Sequence, residues 1–181
     1  MEDTNQADGE PGKLTDVRIV YLPPATVAAS HFIGPSPERN AGLPLDRFVR
    51  DSGLCRIKPD VRHYGFNHPN PSPDRPDYGY EMWVTIPDDL EVPAPLTKKH
   101  FAGGLYAAHA ISMGQFGHWE WLCRWVRESP RYEENWGESD CMGGLLEELL
   151  NYIHHADLPD PEPEEEVQLD LLFPIKPRHR P

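Results

Sequence analysis

The nine residues from Thr26 to Gly34, TVAASHFIG, recur in altered form from Leu105 to Met113 as LYAAHAISM. Within them, Val27-Ala28-Ala29 stands against Tyr106-Ala107-Ala108, an offset of about 79 positions. Similarity at a fixed spacing indicates an internal duplication. Short alanine-rich matches also arise by chance, so this match alone leaves duplication and coincidence both open.

A helical stretch follows each copy of the repeat. In the first half, PLDRFVRDSG (44–53) has an apolar pair at Phe48 and Val49, and Gly53 is predicted as its C-cap. In the second half, QFGHWEWLCRWVRESP (115–130) places apolar residues at i, i+3, i+4 and i+7, which is one face of a helix. These residues are Trp119, Leu122, Cys123 and Val126.

Two strands are predicted after each helix. In the first half they are Arg62–Asn67 and Tyr78–Pro87, and in the second half Leu145–Asn151 and Val167–Ile175. Asn67 against Asn151 gives an offset of about 84, and Glu81 against Asp170 gives about 89. Offsets that grow slowly, with insertions only in loops, are typical of a divergent duplication. The unit is therefore β-α-β-β, and two such units predict an α+β domain with antiparallel sheets and helices packed on them.

The length of 181 residues suits one domain with a core. Prolines number 21 and concentrate near the ends and between Pro69 and Pro76. We expect disordered tails at residues 1–14 and 177–181, and one domain at 15–176 with halves at about 15–95 and 96–176.

The formal net charge of −13 argues against sequence-independent binding to nucleic acid or to anionic membranes, which both need a basic surface. The charge suits cationic ligands. The three cysteines show no paired spacing, and no apolar run approaches the roughly 20 residues of a membrane span. The acidic, polar N-terminus shows no signal peptide, so we expect a cytoplasmic protein.

Two adjacent carboxylates, Glu147 and Glu148, interrupt the apolar run GGLLEELLNYI (143–153). The leucines of this run and Ile153 form a helical stripe, which would leave both acids in water. A strand would instead put the two acids on opposite faces, so only one could face a given pocket. A buried carboxylate needs a partner or a shifted pKa, and the choice between helix and strand therefore decides what these acids do.

Taken together, the segments resemble the GyrI-like small-molecule-binding family, which includes the effector-binding domains of multidrug-sensing and AraC-type regulators. The resemblance spans about Val17 to Lys176 and rests on the order of several motifs. These are YGYEMWVTIPDD (78–89), FAGGLYAAHAI (101–111), the tryptophan-rich helix, LEELLN (146–151) and LDLLFPIKP (169–177).

The resemblance implies a ligand cleft between the halves, in which a Glu of the acidic strand meets lipophilic or cationic molecules among aromatic side chains. Counted back from Asn151, that position is Glu147, with Glu148 as the substitute, and His63 or a close neighbour is the counterpart in the first half. The predicted ligand wall is Tyr106, Trp83, Trp121, Tyr64 and Phe66. No helix-turn-helix signature is evident, so a standalone binding domain is expected.

Two other functions stay open. Some GyrI-like proteins are hydrolases that open strained cyclopropane rings, which would make Glu147 a general base and Tyr106 an orienting hydroxyl, with help from Glu148 or Glu81. The family also includes a gyrase inhibitor, which would imply a protein partner of unknown identity here. No cofactor is predicted. No metal site is predicted either, because adjacent residues such as His154 and His155 rarely share one ion and no CxxC or HExxH is present.

Overall fold

A computed structural model describes residues 14–73, 77–137, 139–157 and 167–178. Within these ranges the chain forms nine strands and four α-helices. The strands are β1 (Arg18–Leu22), β2 (Ala25–Ile33), β3 (His63–Asn67), β4 (Gly79–Ile86), β5 (Thr97–Phe101), β6 (Gly104–Ser112), β7 (Tyr132–Glu134), β8 (Leu146–Leu149) and β9 (Gln168–Pro177). The helices are α1 (Pro37–Ser52), α2 (Leu54–Ile57), α3 (His118–Glu128), α4 (Tyr152–Asp157) and a 3-10 helix at Ser139–Gly144.

The repeat predicted from the sequence is present in the structure. Strands β2 and β6 both have nine residues and begin 79 positions apart, and each is followed by a long helix. Two strands come after the helix of the first half, β3 and β4, and the second half has β8 and β9 with the short β7 added before them. The predicted α+β fold with duplicated units is confirmed. Each unit is also preceded by a short strand, β1 or β5, which the sequence did not indicate.

The two halves, β1 to β4 and β5 to β9, share one curled antiparallel sheet. Its strand order is β1-β6-β9-β8-β3-β4-β2-β5, with β7 beside β9. Each short first strand pairs with the opposite half, because β1 lies beside β6 and β5 beside β2. The halves meet at the β3–β8 pair, where Tyr64 lies opposite Glu148.

The long helices cover one face of the sheet, which we call the helix face. Helix α1 packs Leu45 and Phe48 on one part of it, and α3 packs Leu122 and Val126 on another. Leu149 of β8 contacts both of these clusters, so the two helices flank the centre of the sheet. The opposite face, the inner face of the curl, carries a third apolar cluster of its own.

The predicted C-cap of the first helix agrees with the structure, whereas its start lies seven residues before the predicted stretch, and Pro44 lies inside α1. Gly53 follows the last residue of α1 with a left-handed φ of 64°, and its N–H bonds to the carbonyls of Arg50 and Val49. Helix α1 begins at Pro37, whose fixed φ suits a first helical position.

The ends of the chain are only partly described. Residues 1–13, most of the predicted N-terminal tail, and residues 158–166, most of an acidic, proline-containing stretch at 157–166, lie outside the described residues. Pro177 still belongs to β9, and Arg178 donates its backbone N–H to the Arg131 carbonyl at 2.9 Å. Among the described helices, none has the length and apolarity needed to cross a membrane.

Candidate functional site

The two adjacent glutamates lie on a strand, β8, and not on a helix. Strand β8 pairs with β3 on one side and β9 on the other, and α4 begins only at Tyr152. The helical stripe is therefore the wrong interpretation for this segment, because pairing on both edges outweighs the helix propensity of leucine and glutamate. Alternation along β8 puts Glu147 on the helix face and Glu148 on the inner face.

Glu148 is held in an ion pair. Its side chain is 6% exposed, and the guanidinium of Arg62 donates to both carboxylate oxygens, at 2.6 and 2.7 Å. Burial raises the pKa of Glu148, and the Arg62 charge and hydrogen bonds oppose that shift. This bidentate pair gives the Glu148 carboxylate a countercharge from within the chain.

Glu147 is partly buried and is held by neutral donors. The Tyr80 hydroxyl donates to its Oε2 at 2.7 Å, and Trp119 Nε1 lies 3.5 Å from its Oε1. Burial raises the pKa of Glu147, the two hydrogen bonds offset only part of the shift, and the nearby charge of Glu38 adds to it. In the described contacts Glu147 has no cationic partner, whereas Glu148 has Arg62.

Tyr80 reaches Glu147 across an intervening strand. Tyr80 is on β4 and Glu147 on β8, and Gly65 of β3 lies between them, directly opposite Glu147. A Cβ at Gly65 would overlap the Tyr80 hydroxyl and lie 2.9 Å from its Cζ, so the ring fills the space above the glycine. The absence of a side chain at residue 65 is what lets the phenol reach the carboxylate.

The first turn of each long helix borders Glu147. Glu38 in the first turn of α1 accepts a hydrogen bond from the Tyr78 hydroxyl at 2.6 Å, which raises the pKa of Tyr78 to about 12. Trp119 belongs to the first turn of α3. We call Glu147, Tyr80, Trp119, Glu38 and Tyr78 the Glu147 site. It combines two acids with three aromatic side chains from both halves.

The family assignment rests on a match over nearly the whole described chain. The model of the Cass2 family, described as integron-associated effector binding protein, matches residues 18–175. The chain belongs to this family. Cass2 membership indicates an effector-binding domain that takes a small molecule, and it agrees with the GyrI-like resemblance found in the sequence.

Solved structures share the fold of this Cass2 member. The C-terminal domain of EcmrR is 11% identical, with 88% of this chain and 96% of that chain covered and a TM-score of 0.63. In an EcmrR–DNA complex the match covers 88% of this chain but 57% of the EcmrR chain, at 13% identity and a TM-score of 0.64, so this chain spans little more than half of that protein. A hydrolase from Listeria innocua is 10% identical over 92% of this chain and 94% of its own, with a TM-score of 0.57. Among curated protein sequences, none matches.

Most of the predicted ligand wall lies on the other face of the sheet from Glu147. Tyr64, Phe66 and Tyr106 are buried in the apolar cluster of the inner face, and Trp83 packs against it. The hydroxyl that reaches Glu147 is that of Tyr80, and not that of Tyr106 as predicted. The reason is strand parity, because Tyr106 and Glu147 lie opposite β9 residues of different parity, Pro174 and Leu171.

The tryptophan of α3 that contacts Glu147 is Trp119, and not Trp121 as predicted. Trp121 packs on the ring of His118 with centroids 4.2 Å apart, whereas Trp119 donates to Glu147. Glu81, named as a possible assistant, lies on the inner face, where Lys99, Trp83 and His68 hold it. The alternation of side chains along β4 puts Tyr80 and Glu81 on opposite faces, and this signal could have selected Tyr80. To use it, one must also know which residues of β3 and β4 lie opposite each other.

His63 is the counterpart of Glu147 in the first half of this Cass2 domain. The register of β3 and β8 centres on Tyr64 and Glu148, and His63 and Glu147 each come immediately before these residues. His63 is buried and stacks on Tyr152 of α4 with centroids 4.8 Å apart. Burial lowers the pKa of His63 to about 4. In the first half, His63 is covered by Tyr152 of α4, whereas in the second half the Glu147 carboxylate stays partly exposed.

Burial of His63 predicts a loss of stability in acid. The unfolded chain takes up a proton on this histidine below about pH 6.5, whereas the folded protein takes it up only near pH 4, so stability falls as the pH decreases through that window. Between about pH 7 and about pH 4.5 the contribution lost is on the order of 2 kcal/mol. Urea unfolding at both pH values should show this difference between the wild type and His63→Leu. Equal pH dependence in the two proteins would contradict it.

Two cavities border α4. One of about 410 Å³ lies between the halves and is lined by Arg62 and by the segment from Glu148 to His154, and one of about 540 Å³ lies at the C-terminal end of α1. Glu147 lines neither of them. The first meets the expectation of a cleft between the halves, but the Arg62–Glu148 pair occupies its polar side.

Proposed function

We propose that this protein binds lipophilic or cationic small molecules at the Glu147 site. The observation that carries the proposal is a partly buried carboxylate whose described partners are all neutral, bordered by the aromatic rings of Tyr80 and Trp119. Membership of an effector-binding family supports it. A cation would provide Glu147 with the countercharge that Glu148 already has in Arg62.

Electrostatics favour a ligand of this class. Attraction between a cation and a carboxylate is several times stronger in a partly desolvated site than in water. Aromatic faces add roughly 0.5–2 kcal/mol each when a cation lies above them. Glu38 adds a second negative charge near the site, and the net charge of −13 attracts cations over longer distances.

The Trp119 hydrogen bond is the contact that a ligand would replace. At 3.5 Å it is at the long limit for an N–H donor, whereas the Tyr80 bond at 2.7 Å is short. We expect the ligand to enter between the first turns of α1 and α3, with Trp119 turning from the carboxylate to the ligand. Tyr80 keeps Glu147 in place during this exchange.

Glu147→Gln is expected to weaken binding of tetraphenylphosphonium at least tenfold, about 1.4 kcal/mol, because the substitution removes the charge and keeps the shape. Isothermal titration calorimetry measures this. Glu120→Gln, an exposed acid on α3, is the matched control, since it changes the net charge equally. Tetraphenylborate, which has the same shape and the opposite charge, should bind neither protein well. Equal affinity of Glu147→Gln and wild type for the cation would contradict the proposal.

Burial of the Glu147 carboxylate favours a second candidate, a hydrolase for strained electrophilic rings, in which Tyr80 would keep the carboxylate in place. A carboxylate whose pKa is raised by burial is a better general base at neutral pH. Water would add to a cyclopropane carbon while one ring C–C bond breaks. Glu147 would take the proton of that water and return it to the carbon released by ring opening.

The two candidates differ in turnover. A hydrolase would open an activated cyclopropane, and Glu147→Gln would abolish the reaction. The rate should fall in acid, with a midpoint above the ordinary glutamate pKa, because burial raises the pKa of Glu147. Mass spectrometry detects the gain of one water. Binding of the cyclopropane without any turnover would assign the Glu147 site to binding alone.

A further inference from the structure

Three side chains with metal-binding atoms meet away from the Glu147 site. They are His31 of β2, His68 just after β3, and Glu81 of β4, and their ligand atoms all lie within 4.8 Å of one another. They are 37 and 13 positions apart in the sequence, which is why no local spacing indicated them. Glu81 is fully buried, whereas His31 is exposed, so the cluster opens to solvent on one side.

Sheet pairing brings these residues together. His31 lies directly opposite Glu81 in the β2–β4 ladder, and Phe66 of β3 lies opposite Glu81 on its other side. His68 follows Phe66 by two residues, and its Nδ1 lies 2.8 Å from Glu81 Oε2. The rings of His31 and His68 stack with centroids 4.5 Å apart.

The carboxylate is oriented toward the imidazoles by contacts on its other oxygen. Oε1 of Glu81 accepts a hydrogen bond from Trp83 Nε1 at 2.6 Å and another from Lys99. Oε2 therefore faces His68. Metal-binding carboxylates are commonly held in this way by donors on the oxygen that faces away from the ion.

We propose that His31, His68 and Glu81 bind one divalent transition-metal ion of the Zn²⁺ type. Two imidazoles and a carboxylate are ligands that suit Zn²⁺, whereas Mg²⁺ and Ca²⁺ prefer oxygen ligands throughout. Tetrahedral coordination at about 2 Å requires ligand atoms about 3.3 Å apart, whereas the atoms here lie within 4.8 Å of one another, so the widest separation must shrink by up to about 1.5 Å. His31 closes this gap by leaving the His68 carbonyl, to which its Nε2 now bonds at 2.6 Å.

Lys99 sets the strength of the site. Its ammonium group pairs with Glu81 and cancels the negative charge that a metal ion would meet. We therefore expect affinity below that of a closed structural zinc site, and tighter binding in Lys99→Met. Because the cluster lies on the inner face, opposite the helix face of Glu147, Zn²⁺ should bind Glu147→Gln and wild type equally.

The test is a titration of untagged, full-length protein with Zn²⁺ alone, in competition with a chromogenic chelator. We expect one ion per chain, affinity at least tenfold weaker in His31→Ala and in His68→Ala, and tighter binding in Lys99→Met. His100→Ala, an exposed histidine on β5, is the matched control and should bind as the wild type does.

His31 decides the outcome, because it is exposed and its removal should leave the fold intact, as circular dichroism will verify. Substitution by Co²⁺ provides an independent measurement, since tetrahedral nitrogen and oxygen coordination gives intense visible absorption that His31→Ala should lose. Stoichiometric binding that survives unchanged in both His31→Ala and His68→Ala would overturn the proposal. So would a wild-type protein that binds Zn²⁺ no more tightly than His31→Ala does.

Discussion

Gly65→Ala is expected to lower the free energy of unfolding by about 3–5 kcal/mol and to separate Tyr80 from Glu147. The new Cβ would overlap the Tyr80 hydroxyl and lie 2.8 Å from Cε1 of its ring, so the ring must leave its place on the helix face. Overpacking of a filled interior costs roughly 1–3 kcal/mol. Loss of a hydrogen bond to a charged group adds roughly 1.5–3 kcal/mol.

The same substitution should weaken the Glu147 site. Tyr80 is 8% exposed, and burial together with the Glu147 carboxylate keeps its pKa well above the ordinary value, so it stays a neutral donor. Without this donor the carboxylate loses its fixed orientation. We expect tetraphenylphosphonium to bind Gly65→Ala more weakly than wild type under conditions where both proteins are folded.

Urea unfolding of a double-mutant cycle measures the clash directly. Tyr80→Leu removes the ring, so adding Gly65→Ala to it should cost much less than the same change in the wild type. Gly42→Ala in α1 is the matched glycine control, because its Cβ would meet only the Met82 side chain, with the nearest atom at an ordinary 3.5 Å. That control should be neutral or stabilising by up to about 1 kcal/mol. A cost below about 1 kcal/mol for Gly65→Ala would contradict the role assigned to this glycine.

The duplicated fold could be predicted because the repeat survives in strand-length segments. Strands β2 and β6 keep the same length and similar letters, and each is followed by an amphipathic helix. Strands β1 and β5 could not be predicted in this way. They are short, and each pairs with the other half, so no local pattern reports the partner.

The candidate site could be predicted only in part. Parity along β8 correctly puts the two acids on opposite faces of the sheet, and family order favours Glu147 as the ligand-binding one. Which aromatic side chains contact Glu147 depends on the register between β4, β3 and β8, and no single segment of the sequence determines that register. Tyr80 contributes through the gap above Gly65 on the neighbouring strand, and Trp119 contributes from a helix whose apolar stripe suggested a core role.

The run around Glu147 shows how tertiary contacts decide between two local patterns. Leucine and glutamate favour a helix, and the leucine spacing fits one. In the folded chain β8 is paired on both edges, and Leu146 and Leu149 pack on opposite faces of the sheet. Helix formation would remove both ladders and put the two leucines on one face, so they could not fill apolar clusters on opposite faces of the sheet. The helix propensity is expressed only after Asn151, where α4 begins.

Arg62→Met is expected to lower the free energy of unfolding by about 3 kcal/mol at neutral pH, because it leaves the buried carboxylate of Glu148 without its countercharge. The guanidinium makes both hydrogen bonds to Glu148, whereas Arg62 itself is 36% exposed and loses little packing. Methionine retains most of the aliphatic stem. The loss should therefore be electrostatic in origin.

The pH dependence of that loss identifies its cause. Without Arg62, burial raises the pKa of Glu148 further above that of the unfolded chain, so the folded variant binds a proton that the unfolded chain releases. The stability of Arg62→Met should consequently fall as the pH rises through this window, and its deficit against wild type should be smallest in acid. Urea unfolding at several pH values measures this trend.

A second substitution separates a lost countercharge from lost packing. Replacing both partners, in Arg62→Met with Glu148→Met, removes the uncompensated charge and fills the space with apolar atoms, which is often neutral or stabilising relative to the ion pair. The double variant should recover most of the roughly 3 kcal/mol lost in Arg62→Met at neutral pH, and its stability should lack the fall with rising pH that Arg62→Met shows. If it stays as unstable as Arg62→Met, the pair serves mainly to pack β3 against β8, and the electrostatic explanation is wrong.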